Sequence, residues 1–264
     1  MRVSVMEFKK NSRSAIPKQA RAVHGDAGRQ GCRLLARGLR YDGEGRRQEA
    51  LECYLEAAQL GSPLAAYNAG CIISDARGAK RNPGAAVRLW RLAARLGDPD
   101  AKYNLAWACR RGFGVRRSTR RAFLWTKAAA EGGLLRGQFN LAQAYLRGNG
   151  TKQDLSKAFE WFQKAAKAGC PDAQYNLGVC WELGEGVKPD NRMAVVWFRR
   201  AAKSGERHAQ YNLGICMLRG AGTRRNYRGA VAWLRRARKQ GHRKAARVLS
   251  RLRTKEGRAL EMER

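Results

Sequence analysis

Apolar positions fall in the same phase along this chain again and again. In the stretch from Ala173 to Gly205, Ala173, Leu177 and Trp181 recur at i, i+4 and i+8, one face of a helix. Ala194, Trp197 and Ala201 then recur at i, i+3 and i+7, one face of a second helix. Between them lies "LGEGVKPD". Its glycines 184 and 186 can take the left-handed conformation that ends a helix, and Asp190 stands where the second helix should start. The pattern predicts helix A, a glycine turn, helix B and a tight turn. The same layout returns at a step of 36 residues, as from Asn68 to Asn104.

Four independent series keep that step. An aromatic-Asn pair stands at Tyr67-Asn68, Tyr103-Asn104, Phe139-Asn140, Tyr175-Asn176 and Tyr211-Asn212. Tryptophan recurs at 125, 161, 197 and 233, glycine at 61, 97, 133, 169, 205 and 241, and alanine at 86, 122, 158, 194 and 230. Asn82, Ser118, Asp154, Asp190 and Asn226 share one phase at the predicted start of helix B, where their side chains can accept from free amides of the first turn. Pro83 follows in a position where proline is tolerated, and Pro63, Pro99 and Pro171 open helix A. The alanines, with Gly70, Gly178 and Gly214, let helices approach closely, and the tryptophans are expected to fill the space between units. One helix pair cannot bury both its faces, whereas stacked pairs can. The predicted fold is all-α: a right-handed solenoid of antiparallel helix pairs, with five full repeats and terminal capping units.

The residues Ala173, Leu177, Gly178, Gly184, Gly186, Val187, Asp190, Ala194, Trp197, Ala201, Ala202 and Gly205 carry a resemblance to the Sel1-like repeat family, a branch of the tetratricopeptide-type helical repeats. It extends from about residue 60 to 245. Full repeats are expected at 61–96, 97–132, 133–168, 169–204 and 205–240. The copy at 65–97 is degenerate, with Ala69, Ala76 and Leu89 in place of leucine, glycine and tryptophan. Residues 28–61 resemble a shorter opening unit with a contracted turn, and 242–253 a lone final helix A. The solenoid is thus expected over 28–253, between a basic tail at 1–27 and a charged tail at 254–264.

The resemblance implies that one phase of helix A faces a concave groove. Tyr103, Trp107, Phe139, Gln143, Tyr175, Val179, Tyr211 and Ile215 are the candidate partner-binding residues there. The alternative is that these side chains only pack between repeats. A clamp for a partner's terminal carboxylate would need Lys, Arg and Asn in those phases, and they are absent. The ladder Asn68, Asn104, Asn140, Asn176 and Asn212 also has two readings. Its amides either bond backbone in an adjoining inter-helix turn and lock the pitch, or bond an extended peptide.

Charge changes the picture further. Lys and Arg number 54 against 21 Asp and Glu, a formal net charge of +33. A polyanionic partner is one explanation, and arginine-rich codon usage is another. Arg235 and Arg236 on helix B, with Arg243, Lys244, Arg247, Arg251 and Lys255 on the last helix, are the candidate polyanion-binding residues. Tyr227 alone interrupts the basic runs with an aromatic ring, so base stacking has little support.

Seven cysteines lie at irregular spacing. Some secreted relatives in the resembled family bridge helix B to the next helix A with a disulfide. The matching positions here, Ala94 with Lys102 and Ala166 with Gln174, are not cysteine. A reducing compartment is therefore expected, cytoplasmic first. The N-terminal stretch is basic and lacks a long apolar core, which fits either a mitochondrial or plastid transit peptide or a disordered tail. Cys180 and Cys216 share a phase with His208 nearby, and small core residues are expected there. With three histidines, no Cys-x-x-Cys and no phosphate loop, neither metal, cofactor, small-molecule substrate nor catalysis is expected. No apolar run is long enough to span a bilayer. The expected function is a non-enzymatic scaffold that binds other proteins, acidic ones among them, through its groove and basic face. The alternative is an RNA- or ribosome-associated protein.

Overall fold

The structure, a computed structural model, describes residues 26–76 and 82–262, with side chains as far as Leu252. Most of the basic N-terminal tail, and with it the transit-peptide reading, lies outside the described residues. Among those described there are thirteen helices and no strand. They are α1 (Asp26–Gly43), α2 (Arg47–Gln59), α3 (Pro63–Asp75), α4 (Pro83–Arg95), α5 (Pro99–Arg111), α6 (Thr119–Glu131), α7 (Leu135–Arg147), α8 (Leu155–Lys167), α9 (Pro171–Leu183), α10 (Asn191–Lys203), α11 (Arg207–Arg219), α12 (Tyr227–Lys239) and α13 (Arg243–Met262). Odd helices take the role of helix A and even ones that of helix B. The chain forms two compact units, one through Ala128 and the other from Ala129. In the first, successive helices from α1 to α5 pack on one another; in the second, those from α7 to α13 do.

The helix boundaries follow local chemistry. All five expected caps of helix B are made: Asn82, Ser118, Asp154, Asp190 and Asn226 accept from the amides of Ala85, Arg121, Lys157, Met193 and Gly229 at 2.8–3.2 Å. Helix A is capped too, by Ser62, Asp98, Glu206 and His242. At the other end of α9, Gly184 takes φ +76° and returns its amide to the Cys180 carbonyl. Gly186, also at φ +76°, lies against the backbone of Leu155 at the start of the preceding helix B, where any Cβ would overlap the Leu155 carbonyl. The two glycines therefore do different jobs. The first ends the helix and the second seats one repeat on another.

Packing between the helices of a pair rests on a small residue opposite a large one. A Cβ on Gly178 would stand 2.6 Å from the Phe198 ring, one on Gly70 would stand 2.6 Å from the Trp90 indole, and one on Gly214 would stand 2.8 Å from Leu234 Cγ. In each case the carbonyl of the alanine series, Ala194, Ala86 or Ala230, is also within 3.2–3.3 Å. The tryptophans share the space between units with their neighbours: Trp197 is buried, and Trp125 and Trp233 pack against clusters that include the preceding repeat. The residue after three of them fills the deepest space, with Phe162, Phe198 and Leu234 fully buried. Trp125, Trp161 and Trp233 are only half-buried. Trp161, Trp197 and Trp233 instead lie under cations one turn on, with Lys164, Arg200 and Arg236 at 4.0–4.6 Å from the ring centroids.

A second device joins consecutive pairs. The buried amides of Gln174 and Gln210 donate to the carbonyls of Ala166 and Ala202, eight residues upstream, at 3.2 and 3.3 Å. Gln240 extends the chain of bonds, donating at 3.0 Å to both Gln210 Oε1 and the Gly205 carbonyl. The contracted turn of the opening unit is present: only residues 44–46 separate α1 from α2. At the other end, α13 continues past residue 253 to Met262, because no proline or paired glycine turn follows to stop it.

Two expectations follow for stability. Gly178→Ala should destabilise by about 1–3 kcal/mol, the usual range for overpacking, whereas Gly43→Ala, with nothing within 4 Å of its Cβ position, should not. Gln210→Ala should cost about 1 kcal/mol for its lost hydrogen bonds. Chemical denaturation followed by circular dichroism reads all three, and equal midpoints for Gly178→Ala and the parent would refute the close approach.

Candidate functional site

The eight candidate groove residues occupy one phase of the helix-A series. Tyr103 and Trp107 lie on α5 in the first unit. Phe139, Gln143, Tyr175, Val179, Tyr211 and Ile215 lie on α7, α9 and α11 in the second. All eight are half-buried. Three of the aromatics rest one side on their own repeat: Phe139 against Phe162 and Tyr175 against Phe198, both at 6.0 Å, and Trp107 against Phe113 at 5.1 Å. Val179 and Ile215 border the core beside them. Packing and exposure are thus both served by the same side chains.

The asparagines do not all do what a pitch lock requires. Asn176 donates at 2.7 Å to the Asp172 carbonyl of its own helix, and Asn104 points its amide at Cys71 Sγ, 3.7 Å away on the preceding helix A. Neither of these bonds reaches an inter-helix turn. The amide that crosses from helix A to the helix B before it belongs to Gln174 and Gln210. In both copies of the hexapeptide "AQYNLG" the second letter makes a crossing bond.

The candidate polyanion residues are separated. Arg235, Arg243, Lys244, Arg247 and Arg251 are exposed, while Arg236 is engaged with Trp233. Lys255 belongs to α13, but its side chain lies outside the described residues. Arg235 joins Arg228 and Arg238 around a groove of about 720 Å³ that Val231, Leu249 and Leu252 also line. Arg238 stands where Ala58, Ala94, Ala130, Ala166 and Ala202 are buried in the preceding helix-B copies.

Arg243 and Lys244 go elsewhere, to an open cavity of about 360 Å³ at the starts of α11 and α13. Tyr175, Tyr211, Asn212, His208, His242 and Arg207 complete it with Gly241. The rings form a connected group: Tyr211 stacks on His242 at 4.6 Å, His242 meets His208 edge-on at 5.0 Å, and His208 lies 5.7 Å from Tyr175. Arg207 Nε donates toward His208 Nε2 at 3.4 Å. The Nδ1 of His242 accepts from the Ala245 amide at 3.2 Å. Burial pushes the His242 pKa below its ordinary value, and the neighbouring His208 and Arg207 push the same way, so the ring is neutral at neutral pH. Arg207, His208 and His242 were not in the predicted set. Their signal was present as a break in the Pro-Asp start of helix A, visible only when copies are aligned by phase.

Cys180 and Cys216 are buried, and desolvation pushes their thiols up to about 12 and about 11, which suits core residues and not nucleophiles. All seven cysteines are thiols. Among the described residues no group of three His, Cys, Asp or Glu side chains is placed to hold a metal ion, and no helix is long and apolar enough to cross a membrane.

Comparison with known proteins agrees with this geometry. The model of the Sel1 repeat matches six times, at 30–62, 63–98, 99–134, 135–170, 171–206 and 207–242. The opening unit therefore counts as a full repeat, six in place of the five expected. A protective antigen of uropathogenic Escherichia coli strains, described as displaying an SLR fold, superposes with a TM-score of 0.80 at 29% identity. That match covers 84% of this chain but only 48% of the antigen, so the chain spans about half its length. A Sel1 repeat protein from Oxalobacter formigenes gives a TM-score of 0.71 at 33% identity, covering 86% of this chain and 67% of the other. No curated protein sequence matches significantly. With its glycine-seated helix pairs and six matched copies, the chain belongs to the Sel1 repeat family.

Proposed function

We infer that the chain is a non-enzymatic scaffold that holds partner proteins along the helix-A face and against its basic surface. One observation carries this reading: a ladder of half-exposed aromatic and aliphatic side chains, one set per repeat, with one side of each packed and the other open. Such side chains are held rigid by their own repeat, so a partner that covers them does not have to order them first. Proteins of this family are generally protein-interaction scaffolds. The high positive charge favours acidic partners and speeds their encounter.

A second reading, a polyanion such as RNA as the partner, is favoured by the groove with Arg228, Arg235 and Arg238. Arg238 gives it some weight, since an arginine replaces an alanine that is buried in every earlier copy.

Recovery of bound proteins on the full-length tagged chain tests the scaffold reading. Val179→Lys with Ile215→Lys should lower recovery several-fold while helicity is kept. Val179→Thr with Ile215→Thr provides a gentler pair should the first melt early. Nuclease treatment should leave recovery unchanged. Recovery that disappears with nuclease and is indifferent to Val179 and Ile215 would favour the polyanion reading instead.

A further inference from the structure

The cavity at the starts of α11 and α13 is made of departures from the repeat, and those departures share one sign. Helix A starts Ser62-Pro63-Leu64, Asp98-Pro99-Asp100 and Cys170-Pro171-Asp172 in earlier copies, with Leu134-Leu135-Arg136 the one earlier start that lacks the proline and carries a single cation. The last two start Glu206-Arg207-His208 and His242-Arg243-Lys244. The helix forms at the same phase in all of them, so the fold does not require the cations. The first turn of a helix carries a positive end of the backbone dipole, where Arg and Lys are unfavourable unless an anion joins them. Glu206, the acid in that turn, accepts from the amides of His208 and Ala209, and its charge also bears on His242 and Tyr175. No acidic side chain lines the cavity.

His242 supplies a second and independent indication. It is only 9% exposed, and its Nδ1 is taken by the Ala245 amide. The neutral ring therefore carries its proton on Nε2, and the ring lines the cavity, so that this donor is available to a ligand there.

We propose that this cavity binds a phosphate monoester borne by a partner polypeptide, with Arg207, Arg243 and Lys244 on the dianion, the His242 Nε2–H donating to it, and the Tyr175 and Tyr211 rings against its stem. This rests on the scaffold reading and names a chemistry for part of it. Three cations balance a dianion better than a single carboxylate, and a phosphoryl group offers three acceptor oxygens to donors of this kind. The cavity holds more than an inorganic ion: its volume and paired rings suit a group on an apolar or aromatic stem.

Isothermal titration of the full chain tests the assignment, with phenyl phosphate, benzoate, and a phosphotyrosine pentapeptide beside its unphosphorylated form as probes. The variant Arg243→Pro with Lys244→Asp restores the start that α5 and α9 already use, and so does Arg207→Pro with His208→Asp. Both should fold, with melting temperatures equal to or above the parent's in the absence of phosphate. Each should bind phenyl phosphate and the phosphopeptide at least about tenfold more weakly, the factor that one charge-assisted hydrogen bond supplies. Benzoate as tight as phenyl phosphate, a phosphopeptide no tighter than its unphosphorylated form, or variants that bind like the parent would each overturn the proposal. So would a single-stranded RNA that loses affinity in the same variants while the phosphopeptide does not bind; the site would then be a nucleic-acid contact. If the proposal fails while protein recovery still depends on Val179 and Ile215, the scaffold reading stands without it.

Discussion

The backbone of Gly178 lies so close to the Phe198 ring that no side chain could be placed between them, and the rest of the second unit is arranged around contacts of this kind. A large apolar group on helix B enters a notch on helix A, and the alanine one turn earlier on helix B lets the two backbones close over it. Gly70 with Trp90 and Gly214 with Leu234 repeat the contact in other copies with different large groups. What is preserved is a sum of volumes across the pair, as close-packed interiors demand. A 36-residue step follows from that constraint. Each copy must return the same notch to the same height, and the second glycine of the A–B turn sets that height by resting on the helix before it.

Consecutive pairs are joined by polar bonds as well as by apolar contact. Gln174 and Gln210 reach back to the carbonyls of Ala166 and Ala202, joining helix B to the next helix A at the place where resembled secreted relatives set a disulfide. A buried amide bond of this type contributes about 1 kcal/mol and needs no oxidant. It also imposes direction, because the amide must meet a carbonyl at the end of helix B. It therefore specifies register as well as stability.

Charge is handled by keeping it outside. The ion pairs Arg29–Asp26, Arg46–Glu49 and Lys157–Asp154 lie at the surface, and single exposed pairs contribute at most about 1 kcal/mol each. Part of the positive charge is spread over aromatic faces, with Lys164, Arg200 and Arg236 each above the tryptophan one turn earlier. Such contacts contribute about 0.5–1 kcal/mol at exposed sites and leave the cation able to meet a partner. Arg243 and Lys244 have no such ring beneath them and stand instead at the edge of a cavity.

The helices, their caps and their order were legible in the sequence, because they depend on short-range chemistry. Asp190 caps from three residues away, Gly184 ends a helix through its own φ, and alanine phase marks the inner face. The family followed from the same spacing. Other features depend on which side chains meet across elements, and there the sequence was silent or misleading. Asn recurs as regularly as Gln in "AQYNLG", yet burial at the joint decides that Gln174 and Gln210 make the crossing bond while Asn176 turns back to its own helix. Tryptophan is the most conspicuous repeated letter, yet the deepest place goes to the neighbour after it: Phe198 is fully enclosed, while Trp197, also buried, keeps one face beneath Arg200. The basic residues near the C-terminal end read as one candidate set. Only the tertiary structure divides them, sending Arg235 to one groove and Arg243 and Lys244 to another, where two histidines 34 residues apart, at 208 and 242, meet ring to ring.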